Sequence, residues 1–272
     1  MTGLPLTLEV FATLGALVER RSGLQYRADN LEIFRGKASG RAEQLGFESL
    51  LDYYYYIRYD ERGPAELDSL VESLLIHETY FFREADQLRA LVAPLLASRA
   101  AAGGPLRIWC AACSTGEEPY TLAMLFAEAG LLERAVILAT DVSERALARA
   151  RRGDFHPRAL RLLPSGVEGR FLTRSGGRMT VVPQLAAAIE WRQVNLLDAA
   201  MVTSLGRFDA ILVRNVLIYF ADDTVRRVLS SLSDALAPRG LLLVGASESL
   251  MRYGTSLSCE EHCGAFFYRR IA

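Results

Sequence analysis

Residues 106–120 read LRIWCAACSTGEEPY, and this stretch decides what kind of fold the chain builds. Leu106 to Cys110 is an apolar run of strand length. It stops in Ala111, Ala112, Ser114 and Gly116, small residues that let a ligand approach the backbone closely. Pro119, with a fixed φ and no N–H, suits the first turn of a following helix. Strand, small-residue loop and helix make up the opening unit of a ligand-binding α/β sheet. Glu118 argues against a phosphate there, since a carboxylate beside the loop repels the anion that a helix N-terminus otherwise attracts. A cationic or hydroxyl-rich ligand fits better.

The sequence after Pro105 keeps alternating. Apolar runs at 106–110, 135–140, 189–194, 208–213 and 240–245 are strand-sized, and helical segments around 118–129, 143–151 and 222–236 lie between several of them. Such alternation predicts a mostly parallel sheet with helices on both faces. The C-terminal GAFFYRRI adds an antiparallel edge strand. Residues 153–188 break the rhythm with prolines and glycines around a short hairpin, RFLTRSGGRMTVV, and read as a small β-rich insertion projecting from the sheet.

The first hundred residues carry helical spacing instead. Phe11, Leu14, Leu17 and Val18 form one set, Leu67, Leu70, Val71, Leu74 and Leu75 a second, and Leu88, Leu91, Val92 and Leu95 a third. Ala100 to Pro105 (AAAGGP) marks the change of architecture. The expected organisation is a helical domain with linker over 1–99 and an α/β domain over 100–272.

With 272 residues and 51% hydrophobic content, the chain can bury a large core. Its formal net charge of −1 gives no general reason to expect nucleic acid or an acidic membrane as partner, although a balanced total can hide a local basic face. The start lacks the pattern of a signal peptide and no run is apolar for long enough to span a bilayer, so a cytoplasmic protein without membrane insertion is expected. Cys110/Cys113 and Cys259/Cys263, with His262, raise the question of zinc. Cys110 on a strand and Cys113 in a tight loop read better as small buried hydrophobes, and no metal is expected.

In an open parallel sheet, ligands bind at the carboxyl ends of the strands, near the point where strand order reverses. The second strand ends in Ala139-Thr140-Asp141, where an acid can accept hydrogen bonds from a ribose diol. Alternatively, Asp141 only caps the helix beginning near Ser143. The third strand ends in Val194-Asn195-Leu196 and the fourth in Arg214-Asn215. A nicotinamide dinucleotide would also use an acid after the second strand, but GxGxxG is absent and Glu117 and Glu118 occupy the place of the pyrophosphate cradle. A nucleoside that lacks phosphates and carries a positive charge suits these residues. S-adenosylmethionine is such a molecule.

Six segments, in order and spacing, then point to one family: HETYFFRE (77–84), ACSTGEEPYTLAM (112–124), ATDVS (139–143), VNLLD (194–198), FDAILVRNVLIYF (208–220) and LLLVGASES (241–249). They resemble the CheR family of chemotaxis receptor glutamate methyltransferases over nearly the whole chain. The resemblance implies an S-adenosylmethionine-dependent methyltransferase, with a Rossmann-like sheet, that forms glutamate methyl esters on the cytoplasmic helical region of chemoreceptors and releases S-adenosylhomocysteine. It implies that His77, Thr79 and Arg83 belong to the cofactor site. Glu118 would be the loop acid and Asp141 the ribose acid, with Asn195, Leu196, Arg214 and Asn215 around adenine and methionine. Arg83, which can orient a carboxylate, and Tyr219 are the expected catalytic residues, while Tyr80, Phe81 and Phe82 read as interdomain core.

The sequence also departs from the family pattern. His77 stands where many relatives have asparagine, and Ala246 where histidine is common. The helix that typically offers arginines to acidic receptor helices has only Arg35, Lys37 and Arg41 between Phe34 and Gly46. The insertion tip Arg174–Arg178 is short, so dependence on a C-terminal tethering peptide of the receptor is not expected. The expected state is a monomer. Competing readings are a binding-only regulatory module and a methyltransferase for a carboxylate outside receptors; Arg83, Asp141, Asn215 and Tyr219 together favour an enzyme.

Overall fold

The computed structural model describes residues 3–102 and 104–271. Gly103, inside the expected boundary stretch 100–105, lies outside the described residues. The chain forms two compact units: one runs to Ile76 and includes Tyr219–Thr224, and the other comprises His77–Ile218 and the residues from Val225 onward.

The first unit packs four helices: α1 (Leu8–Ser22), α2 (Leu31–Gln44), α3 (Leu50–Tyr59) and α4 (Gly63–Leu74). Helix α1 starts on the Thr7 hydroxyl, which accepts the Val10 N–H, and ends at Gly23 with φ +82°. Its apolar face, Val10, Phe11, Leu14, Leu17 and Val18, is buried as the spacing predicts. Inside this unit Arg41 reaches Glu66 with two donors, at 3.0 and 2.5 Å, and the Tyr53 hydroxyl donates to the same carboxylate at 2.5 Å. Glu66 is buried, so Arg41 serves as its counter-ion and is not a free surface cation. Arg35 is paired with Glu32. Of the three cations expected on this helix, only Lys37 is left without a carboxylate partner among the described residues.

The second unit begins with α5 (Ala85–Ala102). The sequence groups this helix with the N-terminal helices because it shares their periodicity. Leu88, Leu91 and Leu95 are instead buried in the core of the α/β unit, where α5 packs on elements of the sheet layer. There follow β1 (Leu106–Ala111), α6 (Glu117–Glu128), β2 (Ala135–Asp141), α7 (Glu144–Arg152), β3 (Asp154–Phe155), β4 (Leu172–Ser175), β5 (Arg178–Val181), α8 (Pro183–Ala187), β6 (Ile189–Gln193), α9 (Ala199–Ser204), β7 (Phe208–Val213), α10 (Asp222–Ala235), β8 (Leu236–Val244), β9 (Leu257–His262) and β10 (Ala265–Arg270).

The main sheet has the order β6-β2-β1-β7-β8-β10-β9. Pairing is parallel from β6 through β8, and β10 is antiparallel to both β8 and β9. The expected C-terminal strand is therefore present and antiparallel, but it is not the edge. Strand β9 covers it, and its polar run Glu260-Glu261-His262 gives no apolar signal of a strand. Strand order reverses between β1 and β7, which places the switch point at the carboxyl end of β1, where the small-residue loop of residues 111–116 begins. The insertion is a three-stranded sheet, β3-β5-β4, whose β4–β5 hairpin turns on Gly176 (φ +54°) and Gly177 (φ +76°).

Candidate functional site

The switch point explains the small residues of the first loop. Ala112 and Ser114 adopt positive φ, +59° and +51°, and Gly116 reaches +96° before α6 begins. A Cβ on Gly116 would lie 2.8 Å from Ala150 Cβ and 2.9 Å from a ring carbon of Trp191. Gly116→Ala should therefore cost about 2–3 kcal/mol, from strain and overpacking together, read as a lower urea midpoint at unchanged m.

The turn presents the Ser114 N–H to Asp141 Oδ2 at 2.7 Å, while Asp141 Oδ1 accepts the Ser143 N–H at 2.9 Å. Ser143 itself is the N-cap of α7, through its hydroxyl and the Ala146 N–H. Asp141 thus ties the ends of β1 and β2 together and is not the N-cap residue. A carboxylate accepts more than two hydrogen bonds, so this anchoring is compatible with a diol ligand. His77 Nδ1 lies 3.2 Å from Ser114 Oγ on the same loop. Thr79 is half-buried two residues further on.

Glu118 and Arg214 meet at the end of β7. Arg214 Nη1 donates to Glu118 Oε2 at 2.6 Å, and Nη2 donates to the Arg83 carbonyl at 2.9 Å and to Glu84 Oε2 at 3.0 Å. The Arg214 side chain is 1% exposed, and its Nε has no hydrogen-bond partner. Burial pushes the Glu118 carboxyl up, against the pull of the Arg214 charge. Burial would also raise Glu84, but the Ala246 N–H, Arg214 and the Asn215 amide together hold it below its ordinary value. Glu117, the neighbour without an assigned role, is buried with its carboxylate on the Thr115 hydroxyl, and burial raises it as well.

Two carboxylates unassigned from the sequence organise the rest. Glu84, at φ +50°, also accepts from Asn215 Nδ2 at 3.2 Å and from the Ala246 N–H at 2.9 Å. Glu248 accepts the N–H groups of Asn215 (2.7 Å), Gly245 (2.8 Å) and Ile218 (3.3 Å). It holds Asn215 at φ +57°, and Gly245 is small because a Cβ there would sit 2.6 Å from Asn215 Nδ2. Both acids lie inside the six motifs, but most of their partners come from distant segments, and spacing gives no signal of those. Glu248→Gln replaces one acceptor oxygen by a donor facing these amides. S-adenosylmethionine affinity should fall about tenfold by calorimetry, and the melting temperature should drop by a few degrees because the amides lose a charged acceptor.

Arg83 donates to the Glu78 carbonyl at 2.6 Å and is about a quarter exposed. Phe81 and Phe82 belong to the core of the second unit, with Phe81 edge-on to Phe155 at 4.7 Å. The Phe82 N–H donates to the Thr121 hydroxyl of α6 at 3.1 Å, which fixes the strained turn carrying Arg83 and Glu84. Asn195 Oδ1 accepts the Leu197 N–H, and Leu196 is buried. Tyr219 belongs to the helical unit, where its carbonyl accepts the Gln25 N–H at 2.8 Å; burial, and next to it the charge of the Tyr219 phenolate, push Tyr26 up to about 12. Cys110 and Cys113 are buried with their thiols pushed up by desolvation, whereas Cys259 and Cys263 are exposed.

A parallel sheet with a reversed strand beside β8, a tight small-residue turn after β1, an acid in the first turn of α6 and another at the end of β2 fit S-adenosylmethionine. They define an S-adenosylmethionine-dependent methyltransferase domain. The family model described as CheR methyltransferase, SAM binding domain, matches residues 77–263, and that described as CheR methyltransferase, all-alpha domain, matches residues 9–75. The chain belongs to the CheR methyltransferase family. It is 35% identical over 218 residues to chemotaxis protein methyltransferase 2 of Vibrio cholerae, covering 78% of this chain and 75% of that one. It is 34% identical over 251 residues to chemotaxis protein methyltransferase 1 of Pseudomonas aeruginosa, covering 88% and 90%.

Proposed function

We propose that this methyltransferase esterifies glutamate side chains on the cytoplasmic helical region of methyl-accepting chemotaxis receptors, with S-adenosylhomocysteine as the second product. The observation that carries this reading is the similarity, over most of the chain, to chemotaxis protein methyltransferases of two organisms. Bound S-adenosylmethionine supplies a methyl group activated by its sulfonium. His77, Thr79, Arg83, Glu118, Asp141, Asn195, Leu196, Arg214 and Asn215 are the residues we assign to holding it.

The chemistry asks little acid–base work of the protein. A glutamate, with a reference pKa of about 4.3, is already ionised near neutral pH. Its weak nucleophilicity is offset by alignment and by removal of water from its oxygens. Arg83 has a planar fork suited to a carboxylate and is partly exposed, so we assign it to orienting the substrate or the cofactor carboxylate. Tyr219 is assigned a hydrogen bond to the substrate.

Among the described residues no helix is long and apolar enough to cross a membrane. We place the enzyme in the cytoplasm, as a monomer. The two-glycine turn of the insertion leaves little surface for gripping a tethering peptide, so activity should not need one. Peptide binding that is lost on deleting 174–178 would contradict this. The decisive assay incubates the protein with labelled S-adenosylmethionine and receptor-containing membranes from its own source. Label on a receptor-sized band that mild base releases as methanol supports a carboxyl methyl ester. Cofactor binding without such label would favour a regulatory module.

A further inference from the structure

The near-zero net charge conceals an uneven distribution. Between Glu144 and Gln193 there are ten arginines, no lysine and four acidic residues. Several of these arginines are paired locally: Arg161 with Glu78 at 2.8 Å, Arg174 with Glu168 at 2.9 Å and Arg178 with Asp154 at 2.5 Å. Arg145, Arg149 and Arg152 are different. They stand at i, i+4 and i+7 on α7, all exposed, and among the described residues none is paired with a carboxylate. Arg152 donates only to the Ala148 carbonyl, at 3.3 Å. Helical geometry puts the three within about 60° of one another, on the side away from Ala146, Leu147 and Ala150, which are buried. Arg151 faces elsewhere and is paired with Glu144.

Favourable charge at a helix C-terminus accounts for one or two of these arginines, because that effect fades within the last turn. It does not account for Arg145, in the first turn, where a cation opposes the macrodipole. We infer that the Arg145–Arg149–Arg152 face docks a carboxylate-rich helix of the protein substrate. The inference rests on the proposed glutamate specificity. Three guanidinium groups along a rigid helix span about 10 Å, the spacing of carboxylates at i, i+4 and i+7 on a partner helix. The reaction itself supplies the complementarity, since every unmodified target residue is a carboxylate and every esterified one is neutral. Docking through this face therefore favours unmodified substrate over product, and it weakens as salt rises.

The test neutralises the face with Arg145→Gln, Arg149→Gln and Arg152→Gln together. At low salt the KM for unmodified receptor should rise about tenfold, with kcat and S-adenosylmethionine affinity unchanged, and the salt dependence of KM should flatten. A KM and salt dependence equal to wild type would overturn the inference. If the triple variant melts early, the Arg145→Gln/Arg149→Gln pair is measured in its place. A second probe separates this inference from the receptor reading: a helical peptide with glutamates at i, i+4 and i+7 should bind wild type and lose most of its affinity for the variant, whether or not receptors become methylated. Equal peptide binding would overturn the inference. So would a loss, in the variant, of sedimentation with vesicles rich in phosphatidylglycerol while KM stays at the wild-type value, since the face would then serve a membrane.

Discussion

Arg214→Met should lower stability by about 3–5 kcal/mol and abolish methyl transfer, because it leaves Glu118 and Glu84 without the buried charge between them. The Arg214 side chain is 1% exposed, so water does not replace the lost partner. The signs of the two carboxyl shifts give a pH test. Glu84, held below its ordinary value in wild type, contributes stability above the pKa of the unfolded chain, and this is lost as pH falls through the lowered value. Glu118, raised by burial, contributes in the opposite sense: its share is present in acid and is lost as pH rises through the raised value. Without Arg214, only the weaker pull of the Arg83 charge offsets burial at Glu118, and less offsets it at Glu84. The deficit of the variant should therefore be larger at pH 8 than at pH 5, in urea melts at each pH. Adding Glu118→Gln should recover part of the stability and none of the activity. A deficit independent of pH would refute the account of Arg214 as a buried counter-ion.

Arg83→Ala should leave the fold within about 1 kcal/mol of wild type and remove methyl ester formation. The asymmetry follows from its contacts. Arg83 is partly exposed, its one close donation is to the nearby Glu78 carbonyl, and its Nε lies 3.9 Å from Glu84, so little tertiary structure depends on it. What it offers is a fork near the strained turn that Phe82 and Glu84 form. Arg83→Lys keeps the charge and loses the bidentate geometry, and it should retain only a small part of the activity. Wild-type rates for Arg83→Ala would sink the assignment, and an unfolded variant would show that its role is structural.

Much of the fold is legible in the sequence. The five parallel strands, the helices between them and the two-glycine hairpin follow from apolar runs and turn residues, which are local signals. Local signals failed at two places. Helix α5 has the periodicity of the N-terminal helices, and only the sheet it packs against assigns it to the other unit. Strand β9 carries charges along an exposed edge, so its hydrogen bonds to β10 define it while its residue types conceal it.

The site divides in the same way. The sequence by itself placed Asp141, Arg214 and Asn215 at strand ends and Glu118 in the loop after the first strand, because in a parallel sheet the end of each strand is where a backbone can meet a ligand. Only the tertiary structure joined Glu118, Arg214 and Glu84 through one buried guanidinium and showed Glu248 holding three backbone amides. It also turned Arg41, an apparent surface cation, into the partner of a buried glutamate, and left Arg145, Arg149 and Arg152 of α7 without a carboxylate partner among the described residues. The physical reason is common to all of these. Residue type and spacing fix what a side chain can donate or accept, whereas burial and the arrival of a partner from far along the chain fix whether that capacity is spent inside the protein or remains for a ligand.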